Sequence, residues 1–172
     1  MSARRSYKEI ALKDLGRLAE IARWDREDLF RRIPRWGRLY ADRVLCVALC
    51  QGAALHYVTG QTGVKDFDVW TFYRAHPAAP FPARRLRTVD FGDRKFGQSP
   101  DKPEFVGRRV DLIGRSLKCE PSDNPVRVVQ AYLSEGRTRS ARCLAEKAVV
   151  LLVPPDRRGQ IIWPMGNDSD AT

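Results

Sequence analysis

Three short stretches of this chain carry residue types that could do chemistry. Asp66-Phe67-Asp68 sets two carboxylates two residues apart, and on a β-strand such residues leave the same face. Carboxylates that close repel each other and raise one another's pKa unless a cation lies between them. Oxygen ligands at this spacing suit Mg²⁺, which takes one or two carboxylates and completes its shell with water and phosphate oxygens. A solvent-facing strand edge is the bland alternative, but β-propensity disfavours two aspartates in an otherwise aromatic and β-branched run, so a specific reason is expected. Gln51-Gly52-Ala53 follows an apolar run. Glycine there lets a phosphate approach the backbone, and a helix N-terminus offers free N–H groups and a positive dipole end; a tight strand-to-helix turn explains it equally well. Arg109-Val110-Asp111-Leu112-Ile113 sets one acid in an apolar strand, with Arg109 and Asp111 on one face and Val110 and Leu112 on the other. Taken alone it reads best as an Arg109–Asp111 surface pair. Asp90, in Val89-Asp90-Phe91, is the reserve for the third acid.

The elements that must position these groups alternate between helix and strand. Ser6-Tyr7-Lys8-Glu9 has capping-box spacing, and Leu12, Leu15, Leu18, Ala19 and Ala22 recur at helical intervals through about residue 23. Asp25 is expected to cap a second short helix that Pro34 ends. Residues 44–50 form a continuous apolar run, as in a buried central strand, followed by a helix to Gly60. Residues 66–73 form a strand, 76–104 a mostly irregular excursion with an extra strand at 86–91, and 106–113 another strand that Gly114 ends. Asp123 or Asn124 caps a helix with Pro125 in its first turn and Gly136 at its end. A helix over 138–147 leads to strands at 148–153 and 159–163, joined by a turn at 156–159. The fold class is α+β, a mixed α/β domain with a central mixed sheet flanked by helices.

A chain of 172 residues fits one domain and buries a core without a disulfide or zinc staple. Its 31 Lys and Arg against 21 Asp and Glu give a net charge of +10, which attracts polyanions: nucleic acid, nucleotide phosphates or an acidic partner. Coding bias toward Arg explains the same excess equally well. Cys46, Cys50, Cys119 and Cys143 form no CxxC pair, and His56 and His76 have no cysteine at zinc-finger spacing. No apolar run is long enough to span a bilayer and no apolar signal core follows the N-terminus, so a reducing cytoplasm without membrane partners is expected.

Together the three pieces are more specific than any one. Gly52-Ala53, a twelve-residue gap, Asp66-Phe67-Asp68 and a later Val-Asp-Leu strand resemble the nucleotidyltransferase superfamily related to DNA polymerase β. Cys50-Gln51-Gly52-Ala53-Ala54-Leu55-His56 is similar to the entry of abortive-infection-type toxins of that superfamily, and residues 109–113 to the corresponding strand of minimal bacterial nucleotidyltransferases. The likeness covers 44–115, which makes 1–43 a helical cap, 116–166 C-terminal helices and hairpin, and 167–172 a tail. Ala53 stands where the family prefers Gly or Ser, so a side-chain contact to phosphate is missing while the backbone N–H remains. The resemblance implies catalytic, metal-holding Asp66, Asp68 and Asp111 with Mg²⁺ or Mn²⁺, and transfer of a nucleoside monophosphate from a triphosphate such as ATP to a hydroxyl of RNA (tRNA included), protein or a small molecule. Gly52 and Ala53 would line the phosphate tail, with Lys65 and Arg109 as neutralisers. Arg84, Arg85 and Arg87 in the excursion are candidates for gripping nucleic acid. A toxin–antitoxin setting follows from the family analogy. Two other classes compete: the same fold with weakened chemistry, binding nucleic acid or a partner protein, and a metal-dependent nuclease. The nuclease ranks last, because its common acid-x-Lys strand is broken by Ile113.

Overall fold

The computed structural model describes residues 4–81 and 86–166. Its framework is a six-stranded mixed sheet in the order β3-β4-β2-β1-β5-β6. β1 (Val44–Cys50) and β2 (Phe67–Arg74) run antiparallel at the centre. β3 (Leu86–Asp90) is an edge strand antiparallel to β4 (Arg109–Leu117), and β4 lies parallel to β2. β5 (Ala148–Val153) and β6 (Ile161–Trp163) complete the other side as an antiparallel hairpin beside β1. A parallel pair needs a crossover, and residues 75–108 supply it. The mixed α+β class expected from the interleaved pattern is the class that forms.

Helices cover both faces, which is why β1 reads as an unbroken apolar run. α1 (Leu12–Arg32) and α3 (Gln51–Thr59) lie on one side, where Leu15, Leu18 and Ala54 meet Val47, Leu49, Phe67, Val69, Val110 and Leu112. α4 (Pro125–Glu135) and α5 (Arg139–Ala145) lie on the other, where Val129, Leu133 and Leu144 meet Cys46, Ala48, Trp70 and Phe72. α2 (Pro34–Tyr40) adds Tyr40 to a smaller cluster with Leu29, Tyr73 and Phe81. Asn124 caps α4, accepting the N–H groups of Val126 and Arg127, and Gly136 ends it in the left-handed conformation, as the sequence pattern predicts. Among the described residues no helix is long and apolar enough to cross a membrane.

Three local expectations are corrected. Ser6 does not cap a helix: it pairs with Val64 in a β-bridge, and α1 begins at Leu12, where the Asp14 carboxylate accepts the Ala11 N–H at 2.8 Å. Asp25 does not start a second helix, because α1 runs unbroken for 21 residues. Leu29 continues the buried stripe of Leu15, Leu18 and Ala22, so packing carries the helix past the acid. Gly114 does not end a strand; β4 runs through it to Leu117. The missing side chain is filled by Phe81, which stacks on Tyr73 with ring centroids 4.3 Å apart. A Cβ at position 114 would stand 2.4 Å from Phe81 Cε1. Gly114→Ala is therefore expected to cost about 1–3 kcal/mol by overpacking, read as a loss of several degrees in melting temperature, with Phe81→Leu in the same background restoring part of it.

The excursion is tied down at many points. Phe91 and Phe96 are fully buried against Phe67, and Lys95 pairs with the buried Asp14. Asp90, the reserve acid, is a loop staple: its carboxylate accepts the N–H groups of Gly92, Val106 and Gly107, and these bonds hold its pKa low against burial.

Candidate active site

Strand direction assembles the site. Because β1 is antiparallel to β2 and β2 parallel to β4, the C-terminal end of β1 and the N-terminal ends of β2 and β4 meet at one edge of the sheet. Cys50 stands opposite Asp68, and Asp68 opposite Asp111. Both aspartates sit on the face that carries Trp70 and Phe72, by the two-residue alternation of strands, while Phe67 and Val69 enter the core on the other side. Asp66 immediately precedes β2.

This edge opens into a cavity of about 300 Å³. Gln51, Gly52 and Ala53 form one wall with the start of α3, and Lys65, Asp66 and Asp68 form another. Arg5 and Lys147 complete it. The expected meeting of the glycine turn with the paired acids is thus realised, with Lys65 beside them. The positive φ of the strand-to-helix turn falls on Gln51, at 62°, a left-handed conformation uncommon in non-glycine residues and frequent at functional sites. Gly52 serves a different purpose: Arg5 Nη1 and Lys147 Nζ would stand 3.8 and 4.0 Å from a Cβ there, so two cations close over bare backbone at a helix N-terminus. A carboxylate pair on one side and two cations with free N–H groups on the other can hold a phosphate and its counter-cation together.

Arg5 and Lys147 escape a motif search because they come from distant parts of the chain. Each carries a faint signal. Lys147 directly precedes the apolar run of β5, whose Ala148 bridges Gln51. Arg5 precedes Ser6 at its bridge to Val64 and donates to the Thr62 and Gly63 carbonyls at 3.3 and 3.4 Å.

Asp68 is the electrostatic centre. Burial, then Asp66 and then Asp111, push its carboxyl up to about 7, against the pull of Arg109 and Lys147. Among the described residues it has neither a hydrogen bond nor an ion pair, so no direct contact compensates its charge, which Arg109 and Lys147 meet only at longer range. Asp111 is better held: the Thr88 hydroxyl donates to Oδ1 at 2.7 Å, an interaction that the β3–β4 register supplies.

Arg109, which the resemblance puts beside the phosphate tail, lies away from the phosphate wall. Its Nη2 donates to Asp66 at 3.0 Å and its Nη1 to Asp101 at 2.6 Å. Its Nε is 3.2 Å from Asp111 Oδ2 but buried and without hydrogen-bond geometry. The Arg109–Asp111 pair of the bland reading therefore exists, inside the acid cluster. Arg87 is also removed from the cavity: it donates to Asp25 and Asp28 of α1 at 2.8 and 3.0 Å, and these acids use its charge internally. Arg84 and Arg85 lie outside the described residues.

Among the described residues no three Asp, Glu, His or Cys side chains form a ready-made metal-binding group. The donor set nonetheless fits a Mg²⁺ or Mn²⁺ ion that takes part of its shell from a ligand: Asp68 has no direct partner among the described residues, Asp66 shares its cavity, and such ions need only one or two protein carboxylates beside phosphate oxygens. At Asp111 a guanidinium stands where a second ion would be expected. Comparison with protein-family models, with curated proteins and with solved structures finds no match to this chain.

Proposed function

We propose that this chain is a Mg²⁺-dependent nucleotidyltransferase that moves a nucleoside monophosphate from a nucleoside triphosphate to a hydroxyl acceptor. One observation carries the reading: Gly52 at the N-terminus of α3, the cations Arg5 and Lys147, and the acids Asp66 and Asp68 line a single cavity. Arg5, Lys147 and the free N–H groups of α3 bind the phosphate tail. Asp66 and Asp68 hold the cation, which supplies charge neutralisation of the triphosphate when bound. Asp111, kept oriented by Thr88, lies beside Asp68 on the next strand and orients the acceptor hydroxyl. RNA is the proposed acceptor class, on the strength of the +10 net charge, and the reducing cytoplasm the proposed compartment, on the strength of four cysteines that are all free.

A second reading is favoured by Arg109. An arginine bonded to Asp66 and close against Asp111 supports a nucleotidyltransferase-like module with weakened chemistry, binding nucleic acid or a partner protein. The two are separated by equilibrium binding of a fluorescent triphosphate with Mg²⁺. The enzyme reading expects Lys147→Ala and Arg5→Ala each to weaken binding by about 10–100-fold, the usual worth of a hydrogen bond to a charged group, and to flatten its salt dependence. Arg87→Ala is expected to change neither. Triphosphate affinity unaltered by both cavity variants ends the reading.

A further inference from the structure

Among the described residues Arg109 is the one cation that reaches into the acid cluster from within the sheet, and its contacts are unequal. Asp101 receives the shortest contact, 2.6 Å from Nη1, and Asp66 a good one at 3.0 Å from Nη2. Towards Asp111 the guanidinium offers only Nε, 3.2 Å away, and that N–H is buried without a hydrogen bond. A buried donor left in this state is costly. The three carboxylates also differ in setting. The side chains of Asp66 and Asp111 are 22% and 10% exposed, whereas that of Asp101, on the turn at 100–101, is 56% exposed.

We infer that Arg109 is a resident counter-cation that competes with a divalent ion for Asp66 and Asp111, and that Asp101 is the carboxylate to which it withdraws when the ion enters. The inference rests on the cation-binding reading of the cavity and adds to it a device of this chain's own. An ion at Asp68 removes the repulsion that makes a guanidinium useful at Asp66 and Asp111. The guanidinium then gives up its poorest contact, at Asp111, and its contact to Asp66, and keeps the strong one to Asp101. Asp66 and Asp111 are thereby never left bare, and the guanidinium offsets part of the repulsion in the empty protein, while Asp68 keeps its raised pKa and awaits the ion. The exchange makes the site respond to divalent-ion concentration, because the ion must displace a cation already in place.

Calorimetric titration of the full chain with Mn²⁺ alone tests this. Arg109→Met keeps most of the side-chain volume and removes the competing charge, and is expected to raise Mn²⁺ affinity at least about tenfold. Asp101→Asn removes the retreat and is expected to lower affinity, with no such effect in the Arg109→Met background, since the coupling runs through the guanidinium. Glu104→Gln, on the same loop, is expected to leave affinity unchanged and separates a specific effect from general loss of negative charge. Equal or weaker Mn²⁺ binding by Arg109→Met overturns the inference; if Asp68→Asn still abolishes binding in that case, the cation site itself stands. Absence of Mn²⁺ binding by both wild type and Arg109→Met overturns the cation reading as well. Should Arg109→Met fail to fold, Asp101→Asn against Glu104→Gln decides alone, and equal affinities for the two overturn the inference.

Discussion

Replacing Asp68 by Asn is expected to make the protein more stable above neutral pH and little more stable in acid. The carboxyl of Asp68 titrates at about 7 rather than near 4, so between those values the folded chain holds a proton that the unfolded chain has released. Stability therefore falls as pH rises from about 4 to about 7, and stays lowered above that. The full penalty is up to about 4 kcal/mol, and asparagine, which cannot ionise, removes it. For a chain of this size about 2–4 kcal/mol corresponds to roughly 4–12 °C in melting temperature. Thermal unfolding of wild type and Asp68→Asn at pH 4.5 and pH 8.5, without divalent ions, reads the effect directly. The two curves should differ by only about 1 kcal/mol at the lower pH and by up to about 4 kcal/mol at the higher. A variant less stable than wild type at pH 8.5 would show that Asp68 is a structural acid held by contacts that outweigh its repulsion.

The same substitution is expected to abolish nucleotide transfer. Asp68 is the one acid of the three whose charge has no direct partner among the described residues, so it is the one with most to gain from a cation and most to lose when replaced. Loss of a preorganised charge facing the transferring phosphoryl group costs about 10²–10³-fold in turnover, and Asp111→Asn should cost a similar factor. Thr88→Val should cost less, because it frees the Asp111 carboxylate to turn without removing it. Incorporation of label from an α-phosphate-labelled triphosphate into RNA, with Mg²⁺ present, measures all three. Activity of Asp68→Asn within a factor of a few of wild type sinks the enzyme reading, whatever its stability. A variant that is at once more stable and inactive is the expected signature of an acid kept for chemistry against the interest of the fold.

Much of this arrangement follows from sequence. The buried run at 44–50, the alternation through 67–73, the Asn124-Pro125 helix start and the turn before 161 each depend on local signals: burial of neighbouring side chains, capping oxygens and the fixed φ of proline. The same locality places Asp66 and Asp68 on one side of a strand end and Gly52 at the head of a helix. Three local signals mislead. Ser6 meets its partner in Val64, 58 positions along the chain, Asp25 is carried through by the packing of Leu29 rather than released to begin a new helix, and Gly114 stays inside β4 because Phe81 fills the space of its missing side chain. The third acid needed a register as well as a motif: Val89-Asp90-Phe91 and Val110-Asp111-Leu112 look alike in sequence, and only the parallel pairing of β4 with β2 sets Asp111 beside Asp68 while turning Asp90 into a staple for backbone N–H groups. Tertiary structure alone decided what the arginines do, since a guanidinium at the end of a flexible stem takes whichever carboxylates the fold brings within reach. Arg87 found α1, Arg109 found three acids from three segments, and the cavity took its cations instead from Arg5 and Lys147, residues 142 positions apart whose proximity rests on Ser6 pairing with Val64 and Ala148 with Gln51.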